Sequence, residues 1–197
     1  QRKQFNFYIT KPKLSILIPL TNKYKYSRYQ KLFEPINEQC NTLDKRQDVE
    51  ILLSELNDIS SVGNKHNVLM NKARGEYVCF LNEDCFIQDG FFSSLLNTIN
   101  SNDVDCITFD LEKILSEDVS HLVSFNASAK FFQKDVVDGK SVRYIGPMCP
   151  LKRDIAQKYE FPDLNYNTED VWMYKLLTGN NINSNVHIDK LLIEQRL

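Results

Sequence analysis

Four short apolar runs, spaced by segments of helical periodicity, constrain this chain more than any other feature. They are Leu14-Ser15-Ile16-Leu17-Ile18-Pro19, Val49-Glu50-Ile51-Leu52-Leu53, Glu76-Tyr77-Val78-Cys79-Phe80-Leu81 and Asp105-Cys106-Ile107-Thr108-Phe109. Each is apolar nearly throughout rather than alternating, which is the pattern of a strand covered on both faces. Between the first two, residues 28–40 put Leu32, Phe33, Ile36 and Cys40 on one side of a helix capped by Ser27, with a kink or a restart expected at Pro35. Ser60 or Ser61 opens a second helix that ends near Ala73 with Gly75 as its stop, and Gly90 precedes a third over about residues 91–100. Strand and helix in alternation predict an α/β layer structure around a mostly parallel central sheet with flanking helices.

The second part of the chain is less regular. Residues 119–145 hold short alternating stretches that suit antiparallel strands, and Gly146-Pro147 marks a turn. Helices are expected near 151–159 and over 169–178, the latter stopped by Gly179, with a last short strand at 186–188. Residues 1–13 are polar and basic and form an N-terminal arm, leaving 14–197 as a single domain.

Composition removes several classes of function. Twenty-four basic residues face 26 acidic ones, a net charge of −2, so no global positive field holds nucleic acid or an anionic membrane. The longest apolar runs are strand-sized, too short to span a bilayer. Five cysteines include no C-x-x-C pair; they suit buried thiols in the cytoplasm or another reducing compartment. The chain starts at Gln1 without Met, as expected of a piece of a longer polypeptide with additional domains. Gly139-Lys140-Ser141 imitates the end of a phosphate-binding loop, but Lys134 stands where that loop needs its first glycine.

Three acidic positions carry chemistry. Asn82-Glu83-Asp84 directly follows the third strand, and ligands of open α/β sheets bind beyond strand carboxyl ends. A carboxylate there can hold a hard divalent cation that keeps positions open for phosphate oxygens, although the same residues also favour plain turns. Glu169-Asp170 opens the helix over 169–178; acids in a first turn complement the helix dipole, and that dipole keeps a carboxylate ionised and able to accept a hydroxyl proton. Glu55, just past the second strand, suits either a hydrogen bond to a base or ribose or a solvated loop.

In this order, Ser15 to Asn22, Val49 to Leu53 and Asn67 through Ala73-Arg74-Gly75-Glu76-Tyr77 to Asp84 resemble an inverting family 2-type glycosyltransferase of the GT-A fold. Phe161-Pro162-Asp163 through Glu169-Asp170 resembles that family's later acidic segment, so the similarity runs over about residues 14–190. The family's D-x-D is here Asn82-Glu83-Asp84, its acidic pair after the second strand is reduced to Glu55, and His66 stands where arginine is frequent. The resemblance implies a nucleotide-binding half over about 14–110 and a smaller, antiparallel acceptor half over about 111–197. It implies transfer of a sugar from a nucleotide-sugar donor, a UDP-sugar above all, to an unknown acceptor, with inversion.

The implied roles follow. Pro19, Leu20, Thr21, Asn22, Glu55, Lys65, Asn82 and Glu83 contact the donor. Asp84 ligates Mn2+ or Mg2+, and His187 completes the metal shell or meets phosphate. Asp170 is the general base, and Glu169 is its neighbouring alternative or an orienting residue. Trp172 stacks on a sugar or belongs to the core, and the segment from Gly146 to Leu151 lies between the halves. The alternative is a non-catalytic nucleotide-sugar or carbohydrate-binding module, which the missing first aspartate favours.

Overall fold

The computed structural model describes residues 11–20, 26–54, 60–129 and 135–196. The first apolar run becomes β1 (Leu14–Ile18), buried at every position. It is flanked in parallel by β2 (Val49–Leu53) and β3 (Tyr77–Phe80), with Ile16 opposite both Ile51 and Cys79. β3 is buried throughout, whereas β2 passes from buried Val49 to exposed Leu53 because it is the border of the sheet.

α1 (Tyr26–Asn41) packs Leu32, Ile36 and Cys40 inward. It runs unbroken across Pro35, so no restart occurs at the proline. The carbonyl that Pro35 deprives of a partner belongs to Lys31, which is exposed, where a missing N–H costs little. α2 (Val62–Lys72) begins at Ser61, whose side chain accepts from the backbone N–H of Asn64 at 3.1 Å. β4 (Cys85–Ile87) follows the third strand after a tight turn and leads to α3 (Phe91–Ser101), which buries Phe91, Phe92, Leu95, Leu96 and Ile99.

β5 (Cys106–Ser116) is the longest of the first five strands. It pairs antiparallel with β6 (Val119–Phe125), and β7 (Asp135–Val137) pairs antiparallel with β8 (Lys140–Arg143). β6 and β8 run parallel, so two of the three pairings along the run β5-β6-β8-β7 are antiparallel. Asp138 and Gly139 both adopt positive φ, 50° and 77°. The segment that imitates a phosphate loop is therefore a two-residue hairpin turn.

The helix expected near 151–159 is instead the two-residue strand β9 (Leu151–Lys152) and the single turn α4 (Arg153–Ala156). β9 fills the gap between β3 and β5, and its backbone pairing outweighs local helical preference. α5 (Thr168–Thr178) matches the expected helix. The final strand, expected over 186–188, extends as β10 (Asn185–Arg196). Asp189 and Lys190 interrupt its apolar pattern, and the register with β5 shifts there and again before Ile193, the mark of a bulge. β10 lies parallel to β5 and antiparallel to β4.

A polar joint secures the start of the parallel core. Glu50 is almost fully buried, yet its carboxylate accepts from Ser15 Oγ (2.7 Å), the Arg74 backbone N–H (2.8 Å) and Arg74 Nε (2.6 Å). Ser15 Oγ also accepts from the Gly75 N–H at 2.8 Å. A Cβ on Gly75 would stand 2.6 Å from the Ser15 nitrogen, so only glycine lets the chain come this close. All five cysteines are buried and unpaired, and burial pushes the Cys149 thiol up to about 12.

Burial works to raise the Glu50 carboxyl, but the Arg74 N–H, Ser15 and the Arg74 charge outweigh it and hold it below its usual range. A carboxyl depressed on folding stabilises the fold above its unfolded value of about 4.3, and that contribution is lost as pH falls through the folded value. Glu50→Gln should therefore cost about 1–3 kcal/mol at neutral pH and shrink the stability lost between neutral pH and pH 3. Urea denaturation at both pH values checks this; an unchanged difference between wild type and variant would show that the joint carries no such linkage.

Candidate active site

The carboxyl ends of β1, β2 and β3 gather at one edge of the sheet. Pro19 and Leu20 leave β1 fully or nearly buried. The Leu20 N–H donates to Ser54 Oγ at 2.7 Å, which ties the exits of β1 and β2 together. Lys65, which the sequence could place on an open helix face, is buried instead, and its ammonium donates to the Leu20 carbonyl at 2.9 Å. That puts a fixed positive charge at the end of β1. Thr21, Asn22 and Glu55 lie outside the described residues.

β3 leads into the turn Asn82-Glu83-Asp84, closed by the Cys85 N–H donating to the Asn82 carbonyl at 3.0 Å. Asn82 Nδ2 donates to Glu169 Oε1 at 3.2 Å, so residues 87 positions apart meet here. His66 completes the joint. Its ring is fully buried and lies 4.7 Å from the Phe80 ring and 4.6 Å from the Phe161 ring, between centroids. Nδ1 sits 2.8 Å from the Val62 carbonyl and so carries a proton, while Nε2 faces Glu169 Oε1 at 3.4 Å. Burial pushes the Glu169 carboxyl up, but contact with His66, the Asn82 amide and the charge of Lys113 prevail and hold it low. Glu169 is an anion clamped between two halves of the site.

Glu83 is buried. Asp84 is half-buried. Its Oδ2 accepts from Gln195 Nε2 at 3.0 Å, and its carbonyl accepts from the Arg196 N–H at 3.0 Å. Gln195 Oε1 is buried without a hydrogen-bond partner. Asp170 is exposed in the first turn of α5. Lys113 of β5 links the acids electrostatically. Its ammonium is pushed down by burial and by Arg143, against the opposing pull of Asp84, Cys85 and Asp170. One cation thus senses both the Asp84 turn and the start of α5.

His187 is not part of this arrangement. It pairs in register with Thr108, whereas Gln195, the partner of Asp84, pairs with Lys113. Five residues of β5 separate those rungs, about 17 Å of strand, and an odd spacing points their side chains to opposite faces. His187 cannot complete a metal shell around Asp84. Trp172 is also settled by packing: it stacks on Phe161 with centroids 4.7 Å apart, and its Nε1 donates to the Tyr159 carbonyl at 3.0 Å. It belongs to the core. The segment from Gly146 to Leu151 runs between β3 and β5, with the Pro147 carbonyl accepting from Phe80 N–H and the Pro150 carbonyl from Ile107 N–H.

Sequence reasoning missed Ser54, Gln195 and Lys113, and noted His66 only as a substitution. None carries a motif; each reaches the site through strand register or helix packing.

The family model for glycosyl transferase family 2 matches residues 34–160, more than half of the 197-residue chain. The chain belongs to glycosyl transferase family 2. Solved structures with the same GT-A-like fold agree. S. aureus TarS residues 1–349 in complex with UDP-GlcNAc superpose with a TM-score of 0.60 at 17% identity, covering 94% of this family 2 chain and 58% of that one. Longer S. aureus TarS gives 0.59 at 16%, covering 94% and 37%. A197 from STIV gives 0.50 at 12%, covering 90% and 82%. This family 2 chain therefore spans 37–60% of the TarS chains it matches. No curated protein matches it in sequence.

Glu169→Ala removes the acceptor of the Asn82 amide and the carboxylate that faces His66 Nε2. It should cost about 1–2 kcal/mol, read as a lower urea midpoint. An unchanged midpoint would show that the joint contributes no stability.

Proposed function

We propose that this chain transfers a sugar from a UDP-sugar to an acceptor hydroxyl with inversion at the anomeric carbon. The observation that carries the reading is the Asn82–Glu169 hydrogen bond. It sets the turn after β3 beside the start of α5, so an acid suited to the donor side and an acid suited to the acceptor side share one site. The fold it shares with TarS, whose solved complexes hold UDP and UDP-GlcNAc, supports the choice of uridine donor.

In this reading the acceptor oxygen attacks the anomeric carbon from the face opposite the diphosphate. The bond between that carbon and the diphosphate oxygen breaks, and UDP leaves with its electron pair. Asp170 takes the proton that the acceptor hydroxyl gives up, help worth roughly 10²–10⁴ in rate. It stands exposed in the first turn of α5, where the helix dipole favours negative charge. Glu169 stays committed to Asn82 and His66 and orients the helix rather than moving a proton. Pro19 and Leu20 at the end of β1 flank the base and ribose, a role that the sequence also assigns to Thr21, Asn22 and Glu55. Lys65 and Lys113 supply positive charge beside the departing diphosphate.

The donor set at the turn fits a hard divalent cation. Asp84 offers a carboxylate, the Asn82 amide oxygen is free of the bond its nitrogen makes, and the Gln195 amide oxygen is buried without a partner. Mn2+ or Mg2+ held there by Asp84 would neutralise charge on the leaving diphosphate. A single protein carboxylate suffices for Mg2+, which binds largely through substrate phosphates.

Purified chain incubated with UDP-GlcNAc and related UDP-sugars, with and without Mn2+, should release UDP. Asp170→Asn should keep donor affinity within about twofold while lowering turnover by roughly 10²-fold or more; near-normal turnover would remove Asp170 as the base. Asp84→Ala should abolish the metal-dependent part of donor affinity, measured by calorimetry. Tight binding of UDP-sugar with no UDP release under any condition would instead establish the non-catalytic module.

A further inference from the structure

On the opposite face of β5 from Lys113 lies a second group of ligating side chains. Two-residue alternation puts Thr108 and Asp110 of β5 on one face, and in-register pairing puts His187 of β10 beside Thr108. Asp189 follows two residues later on the same face, at the bulge between Ile188 and Leu191. One ligand atom from each of Asp110, His187 and Asp189 falls within 4.8 Å of the others. We propose that these three residues bind a divalent transition-metal ion of the Zn2+ type, at a site separate from that of Asp84.

The hydrogen bonding prepares the ligands. Thr108 Oγ1 lies 3.0 Å from His187 Nδ1, and the same hydroxyl reaches the Val186 carbonyl at 3.4 Å. The hydroxyl proton goes to the carbonyl, so Nδ1–H donates to Thr108 and the Nε2 lone pair is left facing outward. That is the second-shell support a metal-binding imidazole needs. Nε2 then meets Asp110 Oδ1 at 3.5 Å. Asp110 is 4% exposed, and this oxygen is buried with no hydrogen-bond partner. In this tautomer two acceptors face each other at that distance, an arrangement that a bound cation would satisfy. Ligand atoms about 2.0–2.1 Å from a tetrahedral Zn2+ stand about 3.3–3.4 Å apart, close to the separation seen.

Lys140 marks the same spot as one of positive charge. Its ammonium lies 2.5 Å from Asp110 Oδ2 and 3.5 Å from Asp189 Oδ1. It leaves Oδ1 of Asp110 free, and it competes with the ion chiefly at Asp189. A cavity of about 490 Å³, bordered by Thr108, His187, Lys140 and Asn126, gives access and leaves room for water in the fourth position. With one imidazole and two carboxylates, the set favours Zn2+ or Co2+ over Mg2+.

Co2+ titration of the intact 197-residue chain tests the site, because a tetrahedral Co2+ ion has visible d–d bands. One equivalent per chain is expected, with bands retained in Asp84→Ala. His187→Gln and Asp189→Ala should each weaken binding at least tenfold; Asp189 has an 89% exposed side chain, so its loss leaves folding intact. Lys140→Met should tighten binding, since it removes the competing ammonium. Binding that disappears in Asp84→Ala, or that His187→Gln and Asp189→Ala leave unchanged, overturns the proposal. So does failure to bind Co2+ or Zn2+ after dialysis.

Discussion

Glu169 is held by groups from the other half of the chain, the Asn82 amide and the His66 ring. The rest of the candidate site depends on this clamp. His66 is fixed from behind by the Val62 carbonyl and on both sides by Phe80 and Phe161, and Phe161 in turn stacks on Trp172 of α5. The aromatic column and the ionised carboxylate therefore lock α2, β3 and α5 together. The ring stacking and the Asn82–Glu169 hydrogen bond together fix the position of α5 against the sheet. Asp170 inherits its place from that packing.

The parallel strands supply the other half of the geometry. β1 and β3 are buried at every position, the three strands pair in parallel, and their carboxyl ends emerge together. The fixed ammonium of Lys65 and the hydroxyl of Ser54 sit at those ends. Polar groups that would be expensive in the core are affordable here because each finds a backbone partner at the rim. The Asp110–His187–Asp189 group sits on the far side of β5 and owes its existence to a different device, the bulge in β10.

Much of the architecture was legible because the signals were local. Continuous apolar runs marked β1, β2 and β3, Ser61 marked the start of α2, and Gly179 the end of α5. The errors share one cause. β9 was read as helix, and β10 as three residues instead of twelve, because both take their form from neighbouring strands. Pro35 suggested a kink or a restart, and α1 runs through it as one helix.

By itself the sequence determined the α/β alternation, the two acidic segments at Asn82-Glu83-Asp84 and Glu169-Asp170, and the family to which they belong. Each of these is written in residue type and near spacing. Only the tertiary structure decided which acids meet. It joined Glu169 to Asn82 and His66, gave Asp84 its partner Gln195, and carried His187 away to Asp110. The physical reason is that strand pairing and helix docking bring together residues far apart in the chain, and register, one residue at a time, chooses the face on which each side chain emerges.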